Sequence, residues 1–187
     1  DGVFENNQNI TSVSFPNVTS IGGAAFKGAT SLTSVSFPNV TSIGDSAFLG
    51  ATNLTSISFP KVTSIGYWAF EGATNLASVN MPKLKEVGYY AFENTPKLTD
   101  KAVGDGILFK WANAGGDIDD DSITSIADGV FKNNQNITSV SFPNVTSIGD
   151  SAFSGATNLT SVNMPKLKEV GYYAFENTPK LINKPHI

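Results

Sequence analysis

The sequence predicts an α/β, right-handed solenoid, with a parallel β-sheet on one face, short helical turns on the other and a β-hairpin inserted part-way along. Three observations predict it. First, a block of 22 residues recurs: Phe4, Phe26, Phe48, Phe70 and Phe92 are 22 apart, and so are Phe131, Phe153 and Phe175. Self-similarity at that period is the mark of stacked coils. Second, apolar residues hold fixed offsets inside each block. Leu32, Leu54 and Leu76 follow their Phe by six, then come Val35, Ile57 and Val79, then Phe37, Phe59 and Met81. Pro38, Pro60 and Pro82 are next, followed by Val40, Val62 and Leu84, then Ile43, Ile65 and Val87. Third, Phe92 and Phe131 are 39 apart rather than 22, so one coil carries 17 extra residues.

Residues 32–53 make up one full repeat. Leu32, Val35 and Phe37 fit L-x-x-L-x-L, the core pattern of a leucine-rich-repeat solenoid. Thr33 to Phe37 alternate polar and apolar and are rich in strand formers, which predicts a short strand with Val35 and Phe37 inward and Ser34 and Ser36 outward. Pro38 ends the strand because it has no N–H for a ladder. Val40 and Ile43 return the chain to the core. Gly44-Asp45-Ser46 resembles a helix start with a capping side chain, Ala47-Phe48 one helical turn, and Gly50 its stop. The pattern holds Val40, Val62 or Leu84 where leucine-rich repeats commonly place an Asn that satisfies buried backbone, so that Asn ladder is missing. Thr41 and Ser42 are the candidates to replace it.

Composition narrows the function. The chain has 40% hydrophobic and 15% charged residues, enough apolar material for a core. Its 12 Lys and Arg are scattered, which argues against a nucleic-acid groove. With no Cys there is no disulfide framework and no thiolate metal site. No apolar run is long enough to cross a bilayer, so no membrane insertion is expected. The sole histidine is His186, and no Gly-rich phosphate loop stands out, so neither an enzyme nor a cofactor is expected.

The repeat predicts one domain over 1–187, with a β-hairpin insertion at 99–117. Gly106 to Trp111 reads as a strand and Asn113-Ala-Gly-Gly116 as a turn. Asp120 falls where an inward Phe belongs. Residues 1–22 recur at 128–149 with Glu5 replaced by Lys132, and 79–98 recur unchanged at 162–181. Such duplication, and a start in mid-coil, predict a piece of a longer array.

The unit IGDSAFxGATNLTSVxFPxVTSIG closely resembles the BspA-like leucine-rich repeats. The residues that carry the likeness are Ile43-Gly44, Ala47-Phe48 and Phe37-Pro38 ahead of Val40-Thr41-Ser42-Ile43. Val103 to Trp111 and Gly115 to Asp117 also resemble a segment common in that class. The resemblance implies a surface protein that adheres to host matrix, mucosal surfaces or other microbes, and carries no shared catalytic site.

Candidate sites follow. Tyr67-Trp68 and Tyr89-Tyr90 occupy equivalent positions on successive coils, where others have Gly23-Ala24 or Asp45-Ser46, and Tyr172-Tyr173 repeats the pair. They suit protein or sugar contact, or else pack over the neighbouring coil. Ser34, Ser36, Ser56 and Ser58 lie on a field of small hydroxyls, either a hydrogen-bonding surface or simply a solvated sheet. Trp111 is a further candidate. Asp117, Asp119, Asp121 and Asp128 have a calcium-loop-like spacing, but Ser122 stands where the loop needs Gly, so a solvated acidic turn is the better reading. Seven Asn-x-Thr triplets read as one repeat consensus copied. The expected function is non-enzymatic adhesion at a cell surface or in secreted form, toward a protein or glycan of a host or neighbouring cell. The alternatives are a spacer array and an intracellular scaffold.

Overall fold

The computed structural model describes residues 1–185, and His186 lies outside them. The chain forms two compact units, Asp1–Thr99 and Asp100–Ile187. Each is a parallel β-solenoid.

In the first unit every coil gives two short strands. They are β1 (Ser12–Ser14), β2 (Ser20–Ile21), β3 (Ser34–Ser36), β4 (Ser42–Ile43), β5 (Ser56–Ser58), β6 (Ser64–Ile65), β7 (Ser78–Asn80) and β8 (Glu86–Val87). β2, β4, β6 and β8 form one parallel sheet, while β1 pairs with β3 and β5 with β7. Every register joins residues 22 apart: Val13 meets Val35, Ile57 meets Val79, and Ile43 meets Ile65. Identical side chains therefore stack. Phe4, Phe26, Phe48, Phe70 and Phe92 form a continuous ladder with centroids 5.2, 5.1, 5.2 and 5.3 Å apart and rings within 12° of parallel. Phe15, Phe37 and Phe59 form a second ladder against it. Phe48, Phe59 and Phe70 are wholly buried, and Leu32, Leu54, Leu76, Val40 and Val62 close the core around them.

The short helical turns are absent: the described residues contain no helix. Two features replace them. Each coil bends twice through left-handed backbone, at Gly2, Ala24, Ser46, Trp68 and Tyr90, and again four residues on at Asn6, Gly28, Gly50, Gly72 and Asn94. Between the bends, hydrogen bonds alternate. The N–H groups of Ser46, Phe48 and Gly50 donate to the next coil's carbonyls at Tyr67, Ala69 and Glu71, each at 2.7 Å, while Ala47 and Leu49 donate to their own coil, three residues back. A helix needs each N–H for its own coil's i−4 carbonyl and right-handed φ throughout. Here half the donors are spent on stacking. The Asp45 carboxylate caps no helix. It accepts from the Tyr67 N–H of the following coil at 2.9 Å.

The missing Asn ladder is also replaced. Val40, Val62 and Leu84 are fully buried where that Asn would stand, and the hydrogen bonds move one residue back, to the surface. Asn39 donates through Nδ2 to the Pro16 carbonyl at 2.7 Å and accepts Lys61 Nζ at 2.7 Å. A second bridge lies elsewhere on the coil, ahead of Leu76, where Asn75 donates to the Thr52 carbonyl and accepts from Lys97. Thr41 supplies an inter-coil bond as expected, from Oγ1 to the Thr19 carbonyl at 3.2 Å.

The second unit contains β9 (Ala102–Val103), β10 (Ile107–Lys110), β11 (Gly116–Asp119), β12 (Ser125–Ile126), β13 (Ile137–Ser141), β14 (Ser147–Ile148), β15 (Ser161–Asn163) and β16 (Glu169–Val170). β11, β13 and β15 form one parallel sheet, and β10, β12, β14 and β16 another. β9 pairs antiparallel with β10, turning at Gly104–Gly106, where Gly104 N–H donates to the Ile107 carbonyl at 2.8 Å. The inserted sequence thus does hold an antiparallel hairpin, but Asn113–Gly116 is not its turn. Those residues make the corner between β10 and β11, which lie in different sheets. β10 continues the parallel sheet beside β12. The core is the ladder Phe131, Phe153, Phe175, with Leu108, Ile123, Ile137, Phe142 and Leu159 around it.

Candidate functional site

The sheet order brings Tyr67, Trp68, Tyr89 and Tyr90 together. Each pair follows a glycine, Gly66 or Gly88, at which coils approach most closely. A Cβ on Gly88 would lie 2.4 Å from the Gly66 carbonyl carbon and from Tyr67 N. That approach fixes Tyr67 beneath Tyr89, and their rings stack at 5.7 Å and 15°. Trp68 and Tyr90 are tilted against their partners by 56° and 42°. All four rings stay substantially exposed: Tyr67 45%, Trp68 43%, Tyr89 39% and Tyr90 51%. No hydrogen bond to a described residue engages the side chains of Tyr67, Trp68 or Tyr90, so their polar tips face water. In the second unit Tyr172 and Tyr173 repeat the pair and are more open, at 77% and 69%.

The second residue of each pair is strained. Trp68, Tyr90 and Tyr173 have φ of 56°, 55° and 58°. Bulky residues rarely take this conformation, and it costs about 1–2 kcal/mol. Other coils put Gly2, Ala24, Ser46, Gly129 or Ser151 there.

One residue of this corner is missed by sequence reasoning. Glu71, Glu93 and Glu176 each follow an aromatic pair, and their N–H groups donate to the carbonyls of Trp68, Tyr90 and Tyr173 at 3.2, 3.1 and 3.1 Å. Glutamate and aromatic thus share one tight turn. The signal was present: all three aromatic coils read Tyr-aromatic-Ala-Phe-Glu, whereas the other coils hold Glu5, Lys27, Leu49, Lys132 or Ser154 at the last position.

The hydroxyl field separates into two sets. Ser34, Ser36, Ser56 and Ser58 are exposed on β3 and β5 as expected, and Ser58 Oγ accepts from Asn80 Nδ2 at 3.2 Å. The neighbouring threonines are already used: Thr33 Oγ1 donates to the Thr11 carbonyl, and Thr160 Oγ1 to that of Thr138.

Trp111 belongs to the second unit. It packs on Phe131 at 6.1 Å, and Lys101 Nζ lies 4.8 Å from its ring centroid. The same ammonium is hydrogen-bonded to Asp120, whose side chain is 13% exposed. Burial pushes the Asp120 carboxyl up, but hydrogen bonds from Lys101, the Ser122 hydroxyl and the Ser122 N–H, with the lysine charge, outweigh it and hold it below the usual carboxylate value.

The other aspartates are dispersed. Asp117 accepts from Ser139 and Thr138, bonds that lower its pKa. Asp128 is raised, chiefly by burial and also by the Asp150 charge, against an Asp150 N–H that lowers it. Among the described residues no group of three His, Cys, Asp or Glu could hold a metal ion, and no helix is long and apolar enough to cross a membrane. Three Asn-x-Thr triplets serve stacking at both ends. Asn39, Asn144 and Asn158 bridge coils through their amides, and Thr41, Thr146 and Thr160 bond backbone carbonyls one coil back.

The repeat offsets, the parallel register and the coil corners agree with one sequence family. The profile of the BspA type leucine rich repeat region matches in six copies over residues 1–108 and 118–184. The chain belongs to that family. No curated protein matches. Among solved structures, this BspA-type chain is similar to a leucine-rich repeat protein of T. pallidum, TpLRR, at 22% identity and a TM-score of 0.57, covering 92% of this chain and 83% of that one. A leucine-rich cell surface protein of Faecalibacterium prausnitzii is 26% identical with a TM-score of 0.55, covering 97% of this chain and 48% of that one. The pneumococcal vaccine antigen PcpA is 17% identical with a TM-score of 0.52, covering 91% and 60%. The BspA-type chain therefore spans only about half of the second protein and well under two thirds of the third. The leucine-rich-repeat solenoid of this family is generally a binding fold.

Proposed function

We propose that this BspA-type chain is a non-enzymatic binding module that attaches a cell surface to a host or neighbouring macromolecule, and that the corner of Tyr67, Trp68, Tyr89 and Tyr90 is its main contact. The observation that carries the reading is the strained, solvent-facing aromatic at a position where other coils use Gly, Ala or Ser. The chain carries that strain on rings that still leave about half of their surface to solvent, and backbone strain clusters at functional positions. Exposed Tyr and Trp also supply large contact area with few rotatable bonds, which is why they anchor interfaces. Ser34, Ser36, Ser56 and Ser58 are the secondary surface, and Trp111, already packed, is the weakest of the candidates. The surface location rests on the likeness to the Faecalibacterium cell surface protein.

The test is binding to immobilised matrix proteins, mucins and glycans, beside a variant carrying Tyr67→Asp, Trp68→Ser, Tyr89→Asp and Tyr90→Ser. Those are the residues of the coil at 45–46, so the variant keeps a backbone this fold already uses. Binding lost in the folded variant supports the reading. Binding retained moves the site to the serine face, and no binding by the parent favours a spacer.

A further inference from the structure

The aromatic corner has a chemical preference that the rings alone do not reveal. Each of the three aromatic pairs comes with a glutamate on the same turn, and in no other coil but the first does a glutamate hold that position. The side chains of Glu71, Glu93 and Glu176 have no hydrogen bond or ion pair with any described residue. The chain also shows, elsewhere, what an aromatic ring and a carboxylate hold together. Lys101 lies over the Trp111 ring at 4.8 Å while its ammonium is bonded to Asp120. There the cation comes from the chain itself. At Trp68 with Glu71, and at Tyr90 with Glu93, a partly exposed ring and a carboxylate stand on one turn, and no lysine among the described residues is hydrogen-bonded or ion-paired to that carboxylate.

We infer that the corner at Tyr67–Glu71 and Tyr89–Glu93, and its copy at Tyr172–Glu176, receives lysine or arginine side chains from a basic segment of a partner protein. The inference rests on the aromatic corner being the binding surface and gives it a ligand class. An ammonium or guanidinium is drawn to an aromatic face by the ring quadrupole and to the carboxylate by charge. The tilted rings of Trp68 and Tyr90, 43% and 51% exposed, stand on the same turns as Glu71 and Glu93 and can offer faces. Successive coils place two such pairs in register, so a segment with several cations engages both at once. The net charge of −4 favours its approach at long range. An anionic glycan would meet repulsion at every glutamate.

The experiment titrates the full chain with a short alternating Lys–Ser peptide, and with Gln–Ser and Glu–Ser peptides, by calorimetry. Only the Lys–Ser peptide is expected to bind, and its affinity should fall as salt is raised. A Glu71→Gln, Glu93→Gln, Glu176→Gln variant, whose changes are isosteric at carboxylates without a bonded partner and so leave the thermal midpoint in place, should bind it roughly tenfold more weakly. Trp68→Gly with Tyr90→Gly should weaken it comparably. Equal binding by the glutamine variant, no binding of the Lys–Ser peptide, or equal binding of the Gln–Ser peptide overturns the inference. If neutral glycans bind parent and glutamine variant alike, yet not the four-residue aromatic variant, the cationic ligand is refuted and the proposed function stands. If the parent binds nothing on the wider panel, both fall.

Discussion

At the scale of the residue, the fold tolerates a poor choice at Trp68 and Tyr90. Their backbone φ near +55° is one that Gly2 and Gly129 occupy without cost at the equivalent position. Replacing Trp68 with Gly relieves about 1–2 kcal/mol of backbone strain, which offsets part of the packing lost with a side chain that is more than half buried and lies against Tyr67. Chemical denaturation of Trp68→Gly should therefore show a stability within about 1 kcal/mol of the parent, far short of the ~3–5 kcal/mol lost with a buried aromatic, while the aromatic face of the proposed corner is removed. A larger loss would mean that the indole is chiefly a packing residue. Asp120 gives a second test at this scale. Its folded carboxyl lies below the ordinary value, so its stabilisation is complete at neutral pH and is lost as pH falls from about 4 through the lower folded value. Asp120→Asn should flatten that acid limb and cost roughly 1 kcal/mol at pH 7, since one charge-assisted hydrogen bond from a partly exposed lysine goes with it. Asp128, raised by burial, acts with the opposite sign and weakens acid loss.

At the scale of the coil, the apolar offsets were legible in the sequence because each side chain has one job per turn. Val40, Ile43, Phe48 and Leu54 are all buried where the periodicity places them. The helical turn was not legible, because Gly-Asp-Ser-Ala-Phe reads locally as a capped helix start. What decides against it is a neighbour 22 residues away: the carbonyls of Tyr67, Ala69 and Glu71 take the N–H groups that a helix would keep. The Asn–Lys bridges were hidden for the same reason, since Asn39 and Lys61 are adjacent only once the register is known. Two substitutions separate the forces that stack the coils. Phe70 is wholly buried between Phe48 and Phe92, and Phe70→Ala should cost about 3–5 kcal/mol by thermal or denaturant unfolding. Gly88→Ala adds only a methyl group, but that methyl meets backbone at 2.4 Å, which cannot rotate away. It should cost about 1–3 kcal/mol, and it should also perturb the Tyr67–Tyr89 stack, visible as a change in tyrosine near-UV dichroism. Gly72→Ala is a useful contrast, since its Cβ would stand 3.7 Å from the nearest atom and the cost there comes from φ alone.

At the scale of the whole molecule, repetition explains both how much of the candidate site could be read and what escaped. The aromatic pairs were visible because they break a repeat that is otherwise nearly uniform. The glutamates were not, because a lone Glu is ordinary until three coils are aligned on their tyrosines. The inserted stretch likewise read as a hairpin, but Asn113–Gly116 looked like the turn because it has the stronger local turn chemistry. Register settles the turn at Gly104–Gly106 instead, since β10 is claimed by β12. This arrangement has a consequence for residues 100–187 as a chain of their own. They hold a buried ladder of Phe131, Phe153 and Phe175, and their β10-to-β16 sheet begins with β9 as an antiparallel edge strand. An array whose coils depend on their neighbours needs a covered edge and a few coils of core. The segment 100–187 supplies both, so expressed alone it should unfold in one cooperative transition and show a β-type far-ultraviolet spectrum without the helical double minimum. Deleting 100–105, which removes β9 and leaves the edge of β10 bare, should broaden that transition and promote association, because an open strand edge is a template for pairing. A segment that is unfolded from the start would show that the core of this unit is not sufficient by itself.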